Sequence, residues 1–173
     1  MKNTYKRIID VAISLVVLIV FSPIFFIVTF FSIVSQGFPI FFKQKRLGIN
    51  GNYFKAVKFR TMINGPSKGA KDDEKRITSW GRILRKTSID EIPLFLNVIK
   101  GEMSVVGPRP MPIKYLNRFN DHQKKRMLVK PGITGLAQIN GRNKLTWNKK
   151  FNLDVEYVKN NNLLLDFKII FKT

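Results

Sequence analysis

VAISLVVLIVFSPIFFIVTFFSIV, residues 11–34, contains no charged side chain, and apolar sequence extends it to residues 8–42 with Asp10 as the only formal charge. A membrane helix needs about 20 apolar residues, so the run is long enough to enter a bilayer. It is too long for a cleaved signal peptide, and no small-x-small cleavage site follows it. Ser22-Pro23 interrupts it near the middle. Proline removes one backbone hydrogen bond and clashes with the preceding turn, at about 3 kcal/mol or more. In lipid the freed carbonyl needs a partner, for which the Ser22 hydroxyl is a candidate. Lys2, Lys6 and Arg7 precede the run, and Lys43, Lys45 and Arg46 follow it. Positive flanks prefer the cytoplasm, and a single crossing cannot satisfy both. A helix-break-helix that dips in and returns can, with arms of roughly 14 residues, about 20 Å each. From the residues alone, a spanning helix with a tolerated kink competes on equal terms.

Outward from this segment, the 173 residues suit one domain with a real core. The expected division is a membrane segment, residues 1–42, and a head, residues 43–173. The absence of cysteine excludes disulfides, thiolate metal sites and cysteine nucleophiles, and the single histidine, His122, excludes a multi-histidine metal site. His122 reads as a surface helix residue. A net charge of +20, from 31 basic and 11 acidic residues, calls for a polyanionic partner: nucleic acid, anionic lipid or a phosphorylated substrate. Neither a Walker loop nor GxGxxG is present, so the usual nucleotide folds lack support.

The fold class expected is α+β, with a small, mostly helical head. Tyr53–Phe59 alternates like a strand, residues 64–73 read as a loop, and residues 80–86 as a helical turn. Residues 93–100 have helical apolar spacing, residues 115–129 suggest one basic helix, residues 131–142 are punctuated by glycine, and residues 154–172 form one or two helices. The end, residues 162–172, suits either an interfacial amphipathic helix or a core-packing one.

In a chain this poor in acid, Asp90-Glu91 stands out. Ser88-x-x-Glu91 reads locally as a capping box. The same geometry would put free N–H groups and a positive helix end beside phosphate. An ionised aspartate can attack phosphorus, and a neighbouring glutamate can hold Mg²⁺, a hard ion that associates with phosphates. Arg109 sits between prolines in Val106-Gly107-Pro108-Arg109-Pro110, and guanidinium binds phosphate in bidentate fashion. Lys58 and Arg60 alternate along the expected strand. Arg142 lies in a second tight turn. Asp10 is a partner for Arg7, and Asp154 and Glu156 read as structural residues, with membership of the site as the alternative.

KRIIDVAISLVVLIVFSPIFF, QKRLGINGNYFKAVKFRTM, RITSWGRILRKTSIDEIPLFLNVIKGEMSVVGPRP, KPGITGLAQINGRN and LDVEYV…LLLDFKI together resemble the bacterial sugar transferases, the monotopic polyprenyl-phosphate phosphoglycosyl transferases, in their minimal form. The resemblance covers nearly the whole chain. It implies a re-entrant helix broken at Ser22-Pro23, interfacial amphipathic helices, and a cytoplasmic catalytic head on the bacterial inner membrane. It further implies that Asp90 attacks the β-phosphorus of a UDP-sugar and releases UMP, and that polyprenyl phosphate then takes the phosphosugar, starting a surface glycan. Glu91, with Asp90, would hold Mg²⁺, or Glu91 would assist the incoming lipid phosphate. Lys58, Arg60, Arg85, Arg109 and Arg142 would neutralise phosphate. The partners implied are UDP-sugar, polyprenyl phosphate and membrane lipid; nucleic acid is not among them, and a homodimer is compatible with the reading. Residues 159–162 (KNNN) replace the acidic and aromatic residues that the family often carries there.

Overall fold

The computed structural model describes residues 2–63, 65, 70–141 and 144–173. The chain mixes helix and sheet, as the sequence predicts. Two helices open it, α1 (Lys2–Val20) and α2 (Ser22–Gln36), bent by 61° at the break. The cause is local. Pro23 has no N–H to offer the Ile19 carbonyl, and the Ser22 hydroxyl donates to that same oxygen at 2.8 Å. Phe25 N–H then reaches Phe21 O at 2.9 Å and the helical ladder resumes. Among the described residues, no single helix is long and apolar enough to cross a membrane, whereas the bent pair passes that test by length and composition alone. Its flanks are exposed and apolar: Val16, Ile19, Phe26, Phe30 and Val34 are each at least 60% accessible. Such a surface is far more apolar than water-facing helices tolerate.

Both ends of the bent pair are fastened to the head. At the start, Arg7 donates to the carbonyls of Val98 and, at 2.5 Å, Ile99, the last residues of α5 (Leu94–Ile99). Asp10 is buried and accepts the Val105 N–H at 3.0 Å. The expected Arg7–Asp10 pair is therefore replaced by two separate attachments, because each side chain meets an orphan backbone group of the head. At the other end, Arg60 donates to the carbonyls of Gln36, Gly37 and Phe38, and Trp80 Nε1 donates to Ser32 Oγ at 3.0 Å. Phe25 and Val28 pack there with Phe59 and Leu84.

The head begins with an antiparallel hairpin, β1 (Phe41–Leu47) and β2 (Tyr53–Phe59), in register from Phe41↔Phe59 to Leu47↔Tyr53. Asn50 and Gly51 make the turn at positive φ. After α3 (Ala70–Lys75) and α4 (Ser79–Thr87) the chain makes a 3₁₀ turn, Ile89–Glu91, and enters α5. The segment expected as a loop, residues 64–73, thus ends inside α3; residues 64 and 66–69 lie outside the described residues. β3 (Ser104–Val106) then pairs in parallel with β4 (Gly132–Thr134), the crossover between them holding α6 (Asp121–Lys124).

The single basic helix expected over residues 115–129 is three short pieces: 3₁₀ turns at Ile113–Arg118 and Lys125–Leu128 flank α6. Asn120 breaks the run by capping α6. It accepts from Gln123 N–H at 2.9 Å while Gln123 Oε1 accepts from Asn120 N–H at 3.2 Å. His122 sits on α6, exposed as expected. The chain closes with α7 (Leu136–Ile139), α8 (Trp147–Asn160) and α9 (Leu163–Phe171). The main core gathers Phe54 and Ala56 of β2, Leu94 and Val98 of α5, Val105 and Val106 of β3, Tyr157 of α8 and Ile169 of α9. α9 packs on the core, as one of the two expectations for the terminal segment had it: Ile169 is fully buried, while Leu164 and Phe171 stay more than 80% exposed.

Candidate active site

Asp90 and Glu91 do not follow a capping box. Ser88 ends α4 in the left-handed conformation, φ 59°, and its side chain caps nothing. The two acids instead lie on the 3₁₀ turn, where burial of Ile92 and Leu94 in the core fixes the backbone. Asp90 is 8% exposed. Cations, not a helix end, supply the positive field.

Glu91 Oε1 accepts from Lys58 Nζ at 2.5 Å and from Arg109 Nη2 at 2.5 Å. Among the described residues, its other oxygen has only a 3.4 Å contact, with Arg109 Nη1. Burial opposes ionisation of Glu91, but the charges of Arg109 and Lys58, and hydrogen bonds from both, hold its carboxyl at about 2. Burial pushes Asp90 upward, Glu91 adds to that, and Lys58, Arg85 and Arg109 oppose it. Burial likewise lowers Lys58, which Glu91 resists. Two adjacent carboxylates are thereby driven apart: one kept ionised, the other nearer to taking a proton.

The sequence-predicted residues divide. Asp90, Glu91, Lys58 and Arg109 come together. Arg85 contributes charge to Asp90 while its Nε donates to Thr61 Oγ1 at 2.8 Å. Arg60 does not serve as expected: β2 ends at Phe59, and the guanidinium is held by the three carbonyls that close α2. Arg142 lies outside the described residues. Ser22 and Pro23 form the helix break. Arg46 was not foreseen. It lines a cleft with Ala56, Lys58, Leu94, Arg109 and Pro110, and donates to the Pro110 carbonyl at 3.2 Å. Burial lowers its affinity for a proton and Arg109 adds to this, against Glu91. The hairpin register pairs Phe42 with Lys58 and Arg46 with Phe54, which puts Arg46 and Lys58 on one face.

Among the described residues, no group of three or more His, Asp or Glu side chains could hold a metal. Asp90 and the lightly engaged Glu91 oxygen nonetheless suit Mg²⁺, which takes one or two carboxylates and fills its shell with water and phosphate oxygens.

A carboxylate pair ringed by cations has the charge to bind and neutralise phosphate groups. The particular lineage follows from comparison. The model of the bacterial sugar transferase family matches residues 1–173, and the chain belongs to that family. It is an enzyme, a sugar transferase. It is 48% identical over 167 residues to the uncharacterized sugar transferase EpsL of Bacillus subtilis, covering 95% of this chain and 83% of EpsL. It is 40% identical over 182 residues to the UDP-glucose:undecaprenyl-phosphate glucose-1-phosphate transferase of Klebsiella pneumoniae, and 36% identical over 187 residues to the undecaprenyl-phosphate galactose phosphotransferase of Salmonella typhimurium. Those alignments cover 98% and 97% of this chain but 39% of each of the two longer relatives.

Proposed function

We propose that the protein transfers a phosphosugar from a UDP-sugar to polyprenyl phosphate, releasing UMP, at the cytoplasmic face of the bacterial membrane, as an initiating step of surface glycan assembly. The observation that carries this reading is the buried Asp90 beside a Glu91 that is ion-paired to both Lys58 and Arg109. The names of the Klebsiella and Salmonella relatives support the acceptor class.

In the first half-reaction an Asp90 carboxylate oxygen attacks the β-phosphorus. A new O–P bond forms, the bond to the bridging oxygen breaks, and UMP leaves with that electron pair. In the second, a phosphate oxygen of polyprenyl phosphate attacks the same phosphorus. The acyl-phosphate bond breaks, and Asp90 regains its carboxylate. Lys58 and Arg109 neutralise charge on the transferring phosphate, with Arg46 lining the same cleft; such stabilisation dominates phosphoryl transfer. Asp90 and Glu91 would hold Mg²⁺, which would supply further neutralisation of the phosphate oxygens.

The bent helices sit in the membrane as a re-entrant hairpin, residues 1–42, under a cytoplasmic head, residues 43–173. The support is that both ends are fastened to one head: Arg7 to the end of α5 and Arg60 to the end of α2. A spanning arrangement would have to break one set. Cysteines introduced at positions 3 and 45 of this cysteine-free chain should both react with an impermeant reagent from the cytoplasmic side. Labelling from opposite sides would establish a crossing.

The function is tested by UMP release from a panel of UDP-sugars by the full chain with Mg²⁺ and polyprenyl phosphate. The pH dependence is fixed by Asp90, which must be ionised to attack. Burial raises its proton affinity in the metal-free site, so at limiting Mg²⁺ kcat/KM falls as the pH drops toward the carboxylate range. Glu91, at about 2, stays ionised throughout. A kcat/KM at limiting Mg²⁺ that is unchanged down to pH 3 would count against Asp90 as the ionising nucleophile.

A further inference from the structure

The Arg109 loop is fastened from behind at two carbonyls, and both fastenings lead to one face of α8. At one end, Val106 O accepts from the Tyr157 hydroxyl at 3.1 Å and from Lys6 Nζ at 3.3 Å. Asp166 of α9 joins these donors: its Oδ2 accepts from Lys6 at 2.6 Å, and its Oδ1, at 2.6 Å, shares the single Tyr157 O–H with Val106 O. At the other end, Arg109 O accepts from Arg126 Nη2 at 2.7 Å. Arg126 is 5% exposed, donates from Nε and Nη2 to Asp154 Oδ2 at 3.1 and 2.7 Å, and has its guanidinium 5.7 Å from the Phe119 ring centre and 5.4 Å from that of Phe151. Asp154 and Tyr157 are three residues apart on α8, hence on one face.

A buried ion pair is a poor stabilising device. Desolvating two charges offsets most of their attraction, and apolar residues of equal volume often serve as well. Apolar replacements could not, however, donate a hydrogen bond to the Arg109 carbonyl. Burial, with Asp166 beside it, pushes Tyr157 well above its usual range, so its hydroxyl stays a donor. The exposed Arg109 guanidinium has Glu91 as its ion-pair partner, so its aim depends on where its backbone is held.

We propose that Arg126, set by Asp154, and Tyr157 are positioning residues for the transferase reaction: together they clamp the two ends of the 106–110 loop and so aim the Arg109 guanidinium at the transferring phosphate. The clamp gives the LDVEYV segment of α8 a part in turnover, although it holds none of the reacting groups. Lys6 extends the link to the first turns of the membrane helix. The inference rests on the phosphate-binding role proposed for Arg109.

The test is a double-mutant cycle on the full chain in lipid nanodiscs, read as UMP release. Arg126→Lys keeps the charge facing Asp154 but loses the planar fork that also reaches Arg109 O. Tyr157→Phe keeps the ring and loses only the hydroxyl. Each should lower kcat roughly tenfold or more, the scale of a small misplacement of a catalytic group. In an Arg109→Lys background, where the aimed guanidinium is already gone, each should change kcat less than about twofold. An unchanged kcat in both single variants, or the same fold-loss persisting in the Arg109→Lys background, would overturn the clamp. Should Arg126→Lys not insert or fold, Tyr157→Phe decides by the same criterion. Absence of UMP release from the unaltered chain would overturn the proposed function, and the clamp's role with it, whereas release by the unaltered chain with neutral variants overturns the clamp alone.

Discussion

Asp90→Asn abolishes UMP release, by at least roughly 10³-fold, and leaves the fold as stable as before or more so. The loss follows from removing the attacking oxygen, for which an amide is no substitute. The stability follows from burial. Asp90 is 8% exposed and its proton affinity is raised, so at neutral pH the folded protein holds a carboxylate in a place that disfavours its charge. An acid whose folded value lies above its unfolded one destabilises once ionised, and Asn relieves that cost. Thermal melts and UMP assays on one preparation check both halves together. Inactivity accompanied by a large drop in Tm would make Asp90 a structural residue.

Glu91→Gln is expected to act in the opposite sense on stability while also lowering turnover, by roughly 10² to 10³-fold. Glutamine keeps the shape but removes the charge that faces Lys58 and Arg109 at 2.5 Å each. A carboxyl held at about 2 instead of 4.5 contributes at most about 3 kcal/mol of stability, less for the water that reaches Arg109. The sign is that of a depressed acid: the contribution is complete above pH 4.5 and is lost as the pH falls toward 2. Melts at pH 7 should therefore separate Glu91→Gln from the unaltered protein, and the gap should shrink by more than half near pH 3, closing only as the pH falls through about 2. An equal gap at both pH values would show that the ion pairs carry none of the difference.

Much of this arrangement was legible before any coordinates. The Ser22-Pro23 break dictates its own repair, because the carbonyl that proline orphans lies three residues behind the serine hydroxyl. Tyr53–Phe59 alternates and is a strand over those residues. The acidic pair and Arg109 do meet. What failed had physical reasons. Alternation put Arg60 beside Lys58, but the Arg60 guanidinium is taken by the carbonyls of Gln36, Gly37 and Phe38, a contact that depends on long-range packing of α2. Ser88-x-x-Glu91 matched a capping box, but the tertiary position of the 3₁₀ turn required Ser88 to end the preceding helix. The Asn120-x-x-Gln123 box was present and is real, yet basic spacing around it suggested an unbroken helix. Arg46 was hidden because its position relative to Lys58 depends on strand pairing. Asp154 reads as structural in the sequence and forms a buried pair with Arg126; that Arg126 also reaches the Arg109 carbonyl depends on long-range packing of the last helices.

The most direct test of the covalent route is intact-mass spectrometry of nanodisc-embedded protein incubated with Mg²⁺ and the active UDP-sugar but no polyprenyl phosphate. The account predicts UMP released in at most one equivalent and a polypeptide heavier by one sugar-phosphate, the increment mapping to Asp90 and vanishing when polyprenyl phosphate is added. An unmodified polypeptide, from a preparation that turns over the same donor once the acceptor is supplied, would contradict it and require direct transfer between the two substrates.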